Sequence, residues 1–280
     1  MSTIQLVSEH ACFGGVQQFY KHQSRETRGL MKFSVYVPPQ ARSGKVPVLY
    51  FLAGLTCTEE TFPMKAHAQA VAAELGLMLI APDTSPREPR IAGDSAGWDF
   101  GRGAGFYVDA TEVPWSTNYR MYSYITRELA ELVAAHLPAS VEDSGIFGHS
   151  MGGHGALTIA LRNPTQYKSV SAFSPISAPM QCPWGVKAFT NYLGPDRDGW
   201  RAHDASELVA LRAFPSHILI DQGVSDQYLK EQLLPEKFST AAARSGQKLT
   251  LRMQEGYDHG YYFVQTFMAD HLRHHAKLLK

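Results

Sequence analysis

Apolar residues fall in short runs along this chain, and the runs change character from one to the next. Met31, Phe33, Val35 and Val37 alternate with Lys32, Ser34 and Tyr36, the two-residue period of a strand with one buried face. Val46 to Leu52 is instead a continuous apolar run closed by Gly54, which predicts a central strand buried on both sides. Met64 to Leu75 has a helical pattern and stops at Gly76, a residue suited to a helix C-cap. Leu77 to Ala81 is again strand-like. Tyr119 to Leu137 predicts a helix, with Asn118 available as N-cap and Pro138 as stop. Further strands are predicted at Gly145–Gly148, Ser169–Phe173, His217–Asp221 and Leu249–Met253, and helices at Met151–Leu161 and Tyr261–Leu279. Pro235 should kink or restart the helical stretch that follows Tyr228.

This alternation predicts an α/β chain with a mostly parallel sheet flanked by helices on both faces. No repeat, low-complexity stretch or Pro/Gly/Ser-rich linker divides residues 1–280, so one domain is expected. Two segments break the pattern. Residues 84–115 and 175–199 are rich in Gly, Pro, Trp and Tyr without periodicity, and are read as pocket-forming loops on the C-terminal edge of the sheet.

Composition narrows the function by exclusion. Lys+Arg and Asp+Glu both number 26, so no net field draws in nucleic acid or an anionic membrane. No run of about 18 apolar residues is present to span a bilayer, and residues 1–10 lack the pattern of a signal peptide. Cys12, Cys57 and Cys182 are odd in number and widely spaced, which fits neither a disulfide framework nor a zinc site, and a cytoplasmic setting is expected.

Chemistry enters at Gly148-His149-Ser150-Met151-Gly152, a G-x-S-x-G pattern between a strand and a helix. A nucleophile on such a turn has a strained backbone, and its neighbours pack too closely for side chains. The turn lifts the Ser150 hydroxyl clear of the sheet and leaves the Met151 amide free at a helix N-terminus to stabilise an oxyanion. The alternative, a glycine-rich turn that only packs a helix on a sheet, is disfavoured by the flanking elements. In an α/β-hydrolase fold the acid and then the histidine follow the serine in sequence. Asp226, in the loop after the His217–Asp221 strand, is the preferred acid; Asp221, at the strand end, is the alternative. His259 follows the last strand and precedes Gly260, so it alone of the twelve histidines has the order and loop position of a general base. His149 and His154 beside the nucleophile are assigned packing or supporting roles, and His271, His274 and His275 are expected in solvent. Leu55, after the strand ending at Leu52, is the second candidate oxyanion donor. The expected chemistry is acyl transfer through an acyl-enzyme on Ser150.

With these residues assembled, the chain resembles the S-formylglutathione hydrolase (esterase D) family over nearly its whole length. The resemblance rests on Gly54-Leu55-Thr56-Cys57-Thr58, Trp98-Asp99-Phe100-Gly101, Gly103-Ala104-Gly105-Phe106-Tyr107, and Asn118-Tyr119-Arg120-Met121-Tyr122. Gly148 to Gly155, Cys182-Pro183-Trp184-Gly185, Asp221-Gln222-Gly223 with Asp226, and Gly256-Tyr257-Asp258-His259 continue it. Ala53 and Arg102 depart from the family pattern. The resemblance implies hydrolysis of S-formylglutathione to glutathione and formate in formaldehyde detoxification, activity on short-chain esters, no metal or other cofactor, and commonly a homodimer.

A formyl group calls for a narrow acyl site. Gly54, Cys57, Trp98, Phe106, Tyr107, His149 and Trp184 are the candidate pocket residues, although the bulky aromatics among them could equally be core. Arg102, Arg120 and Lys187 are candidate contacts for the glutathione carboxylates. Cys57 is expected near Ser150, where alkylation would block the site without Cys57 being the nucleophile. A general short-chain carboxylesterase or an acyltransferase on the same scaffold, and a non-catalytic binding module, are the competing readings; the last expects a missing member of the Ser150, Asp226, His259 set.

Overall fold

The computed structural model describes residues 3–88 and 90–279. Among these residues nine strands form one sheet: β1 (Gln5–Cys12), β2 (Gly15–Gln23), β3 (Leu30–Val37), β4 (Val46–Leu52), β5 (Met78–Pro82), β6 (Ala139–His149), β7 (Ser169–Phe173), β8 (Ile218–Gly223) and β9 (Leu249–Gln254). Their order is β1-β2-β3-β5-β4-β6-β7-β8-β9. The six strands from β5 to β9 in that order pair in parallel, and β1, β2 and β3 pair antiparallel along one edge. This is the α/β-hydrolase fold.

The helices among the described residues are α1 (Thr61–Lys65), α2 (Gln69–Leu75), α3 (Met121–Ser123), α4 (Ala130–His136), α5 (Met151–Arg162), α6 (Pro183–Leu193), α7 (Arg197–Trp200), α8 (Ala205–Leu211), α9 (Pro235–Ser245) and α10 (Tyr261–Leu278). They cover both faces. Strand β4 shows why its sequence is apolar throughout: Val46, Val48, Tyr50 and Leu52 enter the core beneath α5, α6, α8 and α9, whereas Leu49 and Phe51 enter the core beneath α1, α2 and α10.

Several expectations need correction. The N-terminal hairpin was not foreseen, because β1 is exposed along most of its length and so carries no one-sided apolar pattern. Its turn is Phe13-Gly14, both at positive φ (47° and 74°), the geometry of a two-residue hairpin loop. The helix expected over Met64–Leu75 is two helices, broken at His67, whose φ is +53°. Gly76 does close the second of them, in the left-handed conformation. The helix expected over Tyr119–Leu137 begins at Met121 and widens into a π-helical turn over Tyr124–Leu129. Asn118 does not cap it, because its side-chain amide donates to the Thr27 carbonyl at 2.8 Å. Instead Asp109 accepts from the Ser123 amide at 2.9 Å. Within 175–199, read as irregular, α6 is a regular helix opened by Cys182, whose sulfur accepts from the Gly185 amide.

The terminal histidines are the largest departure. His271 and His275 have no exposed surface. A helix lying on a sheet can present polar groups inward only if the strands answer them, and here they do. Ser169 Oγ lies 2.6 Å from His275 Nδ1, Ser171 Oγ lies 2.9 Å from His275 Nε2 and 2.8 Å from His271 Nδ1, and His271 Nε2 lies 2.9 Å from Asp221 Oδ2.

Burial holds these imidazoles neutral. Burial, with His274 and His271 nearby, pushes His275 well below the ordinary range, and burial lowers His271 against the opposing pull of Asp221. His154 is brought down to about 3, and His274 and His203 to about 4, in each case chiefly by burial. A folded-state pKa below the unfolded one means that the unfolded chain binds more protons below pH ~6.5. The stability contribution is therefore complete above that pH and is lost as pH falls toward the folded pKa, at about 2 kcal/mol per fully neutral histidine by pH 5. Asp204, raised to about 6 by burial, works in the opposite sense and offsets a part. Urea unfolding midpoints should fall steeply between pH 6.5 and 5, with a slope that reports uptake of several protons. A midpoint unchanged across that interval would contradict the neutral buried cluster.

Candidate active site

Strand β6 enters the centre of the sheet and ends at His149; α5 begins at Met151; Ser150 lies between them at φ 59°, ψ −121°. That conformation is strained for any side-chain-bearing residue. Its neighbours tolerate it because Gly152 passes directly over β4: a Cβ there would collide with the Leu52 carbonyl. The same close approach sets Ser150 against Gly54, where an added Cβ would lie 3.1 Å from the Ser150 Cβ. The loop after β4 and the first turn of α5 thus meet at Ser150. The Met151 amide has no intrahelical partner at that position. The Leu55 amide makes no hydrogen bond among the described residues, although the next two amides do: Thr56 donates to Gly103 at 2.8 Å and Cys57 to Gly54 at 3.3 Å.

The loop carrying Leu55 is fixed from outside. Tyr107 Oη donates to the Ala53 carbonyl at 2.8 Å, and Thr84 Oγ1 and Arg87 Nη2 donate to the Cys57 carbonyl at 2.6 and 2.9 Å. Tyr107 is in turn seated on α5. Gly155 leaves room for its ring, and His154 Nε2 donates to the Phe106 carbonyl at 3.1 Å. Phe106 and Tyr107 both have positive φ, 48° and 53°, and these contacts hold them there. Two candidate pocket residues are therefore reassigned. Phe106 is 0 % and Tyr107 1 % exposed, so neither lines a space that water can enter; they brace the loop instead.

Asp226 sits in the loop after β8 with its carboxylate fully buried. Oδ1 accepts from the Tyr228 amide at 2.8 Å, and Oδ2 accepts from Gln222 Nε2 at 3.3 Å and from His259 Nδ1 at 2.6 Å. An ionised carboxylate only accepts, so Nδ1 carries the proton and Nε2 is left as an acceptor. The loops approach closely because Gly223 has no side chain: a Cβ there would strike the carbonyls of Tyr257 and Asp258. Asp221 lies elsewhere. It accepts from Arg252, Gln254 and His271, and although burial opposes its ionisation, these donors bring its carboxyl down to about 2.

His259 reaches Ser150 through a ring contact one residue away. The His149 ring lies 4.6 Å from the His259 ring and 5.5 Å from the Tyr261 ring. Both His149 nitrogens are buried without a hydrogen bond, and burial together with His259 holds its pKa well below the usual histidine range. It serves as a neutral cushion. No hydrogen bond joins His259 to Ser150 Oγ among the described residues, a contact that substrate commonly tightens.

On the other side Tyr228, which the sequence did not single out, packs edge-on against His259 at 5.1 Å and meets Trp184 at 4.7 Å. Trp98 follows at 5.5 Å from Trp184 and is 53 % exposed, at the outer rim. Cys57 is half-buried near Thr61, Tyr261 and Lys65, and burial raises its pKa, so it stays a thiol at neutral pH. Among the described residues no group of His, Cys, Asp and Glu could hold a metal ion, and no helix is long and apolar enough to cross a membrane.

This chain matches the esterase family profile over residues 24–274. It is 55% identical to the S-formylglutathione hydrolase of Rattus norvegicus, across 99% of both chains, and 54% identical to that of Paracoccus denitrificans, across 98% of both. The chain belongs to the S-formylglutathione hydrolase family. The structure of a member of that family from Agrobacterium tumefaciens superposes with a TM-score of 0.96 at 48% identity, covering 98% of this chain and 99% of that one. Membership makes the chain a serine hydrolase of the thioesterase type.

The bracing contact can be tested directly. Tyr107→Phe removes one hydrogen bond and keeps the ring, at a cost of about 1 kcal/mol in stability. Displacement of the Leu55 amide should lower kcat roughly tenfold with little change in KM. A kcat equal to wild type would show that Ala53 is held without Tyr107.

Proposed function

We propose that this enzyme hydrolyses S-formylglutathione to glutathione and formate through a Ser150, His259, Asp226 triad, and that it also accepts short-chain esters. The observation that carries the reading is the 2.6 Å bond from His259 Nδ1 to a buried Asp226 carboxylate, beside a serine on a strained strand-to-helix turn.

With Nδ1 donating to Asp226, Nε2 of His259 takes the Ser150 proton as Oγ attacks the formyl carbon. Negative charge moves to the carbonyl oxygen, where the Leu55 and Met151 amides donate to it. The tetrahedral species collapses, the C–S bond breaks, and the imidazolium returns its proton to the departing sulfur. A thiol of pKa ~8.5 leaves more readily than an alkoxide, so this protonation is less demanding for a thioester than for an ester. Water then attacks the formyl ester with His259 as base, and formate leaves.

Discrimination among acyl groups falls to Tyr228, which stands against His259, and to Trp184 packed behind it. The role that goes with this activity is removal of the formyl thioester formed oxidatively from formaldehyde and glutathione, and the form expected for the enzyme is a homodimer in the cytoplasm.

Three measurements test the reading. Ser150→Ala should lower kcat by about a million-fold, and Asp226→Asn by about ten thousand-fold, with the fold unchanged by circular dichroism. The ratio kcat/KM should be highest for S-formylglutathione, lower for a short aryl acetate and lowest for a butyryl ester. A preference for the longer acyl chain would overturn the assigned substrate, and full turnover by Ser150→Ala would overturn the mechanism. A formyl ester as product when an alcohol is added in place of water would mark an acyltransferase.

A further inference from the structure

The glutathione half of the substrate carries two carboxylates, and the three cations suggested for them from the sequence are engaged elsewhere. Arg120 pairs with Glu26 and Asp109, and Lys187 Nζ lies 2.6 Å from Asp99. Arg102 turns inward toward the buried Tyr119, and its Nε is enclosed without a partner. None of the three is offered to a ligand.

A cavity of about 560 Å³ begins at Gly260, the residue after His259. One wall is the chain that follows the base, Gly260 to Tyr262; the other is the end of α1, which follows the oxyanion loop, with Met64, Lys65 and His67. The placement has a mechanistic meaning. A leaving group that receives its proton from His259 lies on the His259 side, and the chain that leaves His259 runs into this wall.

The walls have the character such a group needs. Met64 is 72 % and Tyr262 81 % exposed, apolar surface uncovered in the free protein. Lys65 is exposed and has no carboxylate partner among the described residues; its Nζ stands 5.9 Å from the centre of the Tyr261 ring. The first amides of α10, an 18-residue helix, add partial positive charge at the same wall. Asp258, the nearest acid in the chain, turns back to the Gly260 amide at 2.8 Å and is not part of the wall.

Lys65 rests on Tyr261, Tyr261 on His149, and His149 on His259, so the ammonium stands three side-chain contacts from the imidazole.

Building on the substrate class assigned above, we propose that this cavity is the subsite for the thiol half of the substrate, with Lys65 as the counter-ion of one of its carboxylates and Met64 and Tyr262 as its apolar sides.

The test compares S-formylglutathione with the S-formyl derivative of N-acetylcysteamine, an uncharged thiol. For wild type, Lys65→Gln, Lys65→Glu and His67→Gln, the quantity read is the ratio of kcat/KM for the charged thioester to that for the uncharged one. Lys65→Gln should lower this ratio about tenfold, equivalent to 1.36 kcal/mol, and Lys65→Glu should lower it further. Added salt should depress the ratio in wild type and not in Lys65→Gln.

An unchanged ratio in both Lys65 variants would overturn the subsite, as would an equal loss on both substrates. A second readout separates this from the assignment of the substrate. Inhibition of aryl formate hydrolysis by the thioether S-methylglutathione should be about tenfold weaker in Lys65→Gln, whether or not S-formylglutathione is the preferred substrate. Inhibition of the same strength in both would also overturn the subsite.

Discussion

A single carboxylate, that of Asp221, sits where the elements that carry Asp226 and His259 come together. It is the last residue of β8 paired with β7, takes Arg252 and Gln254 from β9, and takes His271 from α10. Asp226 hangs from the loop after β8, and His259 from the loop between β9 and α10. A buried charge is tolerated only when donors surround it, and once surrounded it resists displacement of any one of them. The 2.6 Å contact between Asp226 and His259 therefore depends on a carboxylate that touches neither. Arg252 reaches on to Asp270 at 2.8 Å, which ties the same strand to the outer face of α10.

The side that carries the Leu55 amide is built by another route. Nothing in the loop after β4 has regular structure, yet its amides must stand fixed relative to α5. The segment after β5 supplies the rigidity: Thr84, Arg87, Gly103 and Tyr107 each bond one backbone group of that loop. A stretch that looks like pocket wall from its aromatic content is in good part a brace. Catalysis by oriented amides needs such bracing, because a donor that must reorganise as charge develops gives up most of its advantage.

What could be read from the sequence and what could not follows from which interactions are local. The G-x-S-x-G turn, the buried β4 run and the order of Ser150, Asp226 and His259 are each set by residues close together in the chain, and the structure places them in the expected elements. The choice of Asp226 over Asp221 at His259 was legible from loop position alone. The N-terminal hairpin was not, since an edge strand open on both faces leaves no apolar period to detect. Helix α6 was hidden by Pro183, Trp184 and Gly185 at its start, residues that suggest a loop until Cys182 is seen to cap them. His271 and His275 were placed in solvent because Ser169, Ser171 and Asp221, which satisfy them, lie 50 or more positions away in the chain. Tyr228 was missed for the same reason: nothing near it in sequence reveals that it packs on His259.

The location of those two histidines bears on what holds the sheet together behind the site. Ser150, Asp226 and His259 all precede the helix that answers Ser169, Ser171 and Asp221. Without α10 the two hydroxyls would lose their imidazole partners, and Asp221 would keep only Arg252 and Gln254. His271 and His275 thus close the far side of β7 and β8 from behind.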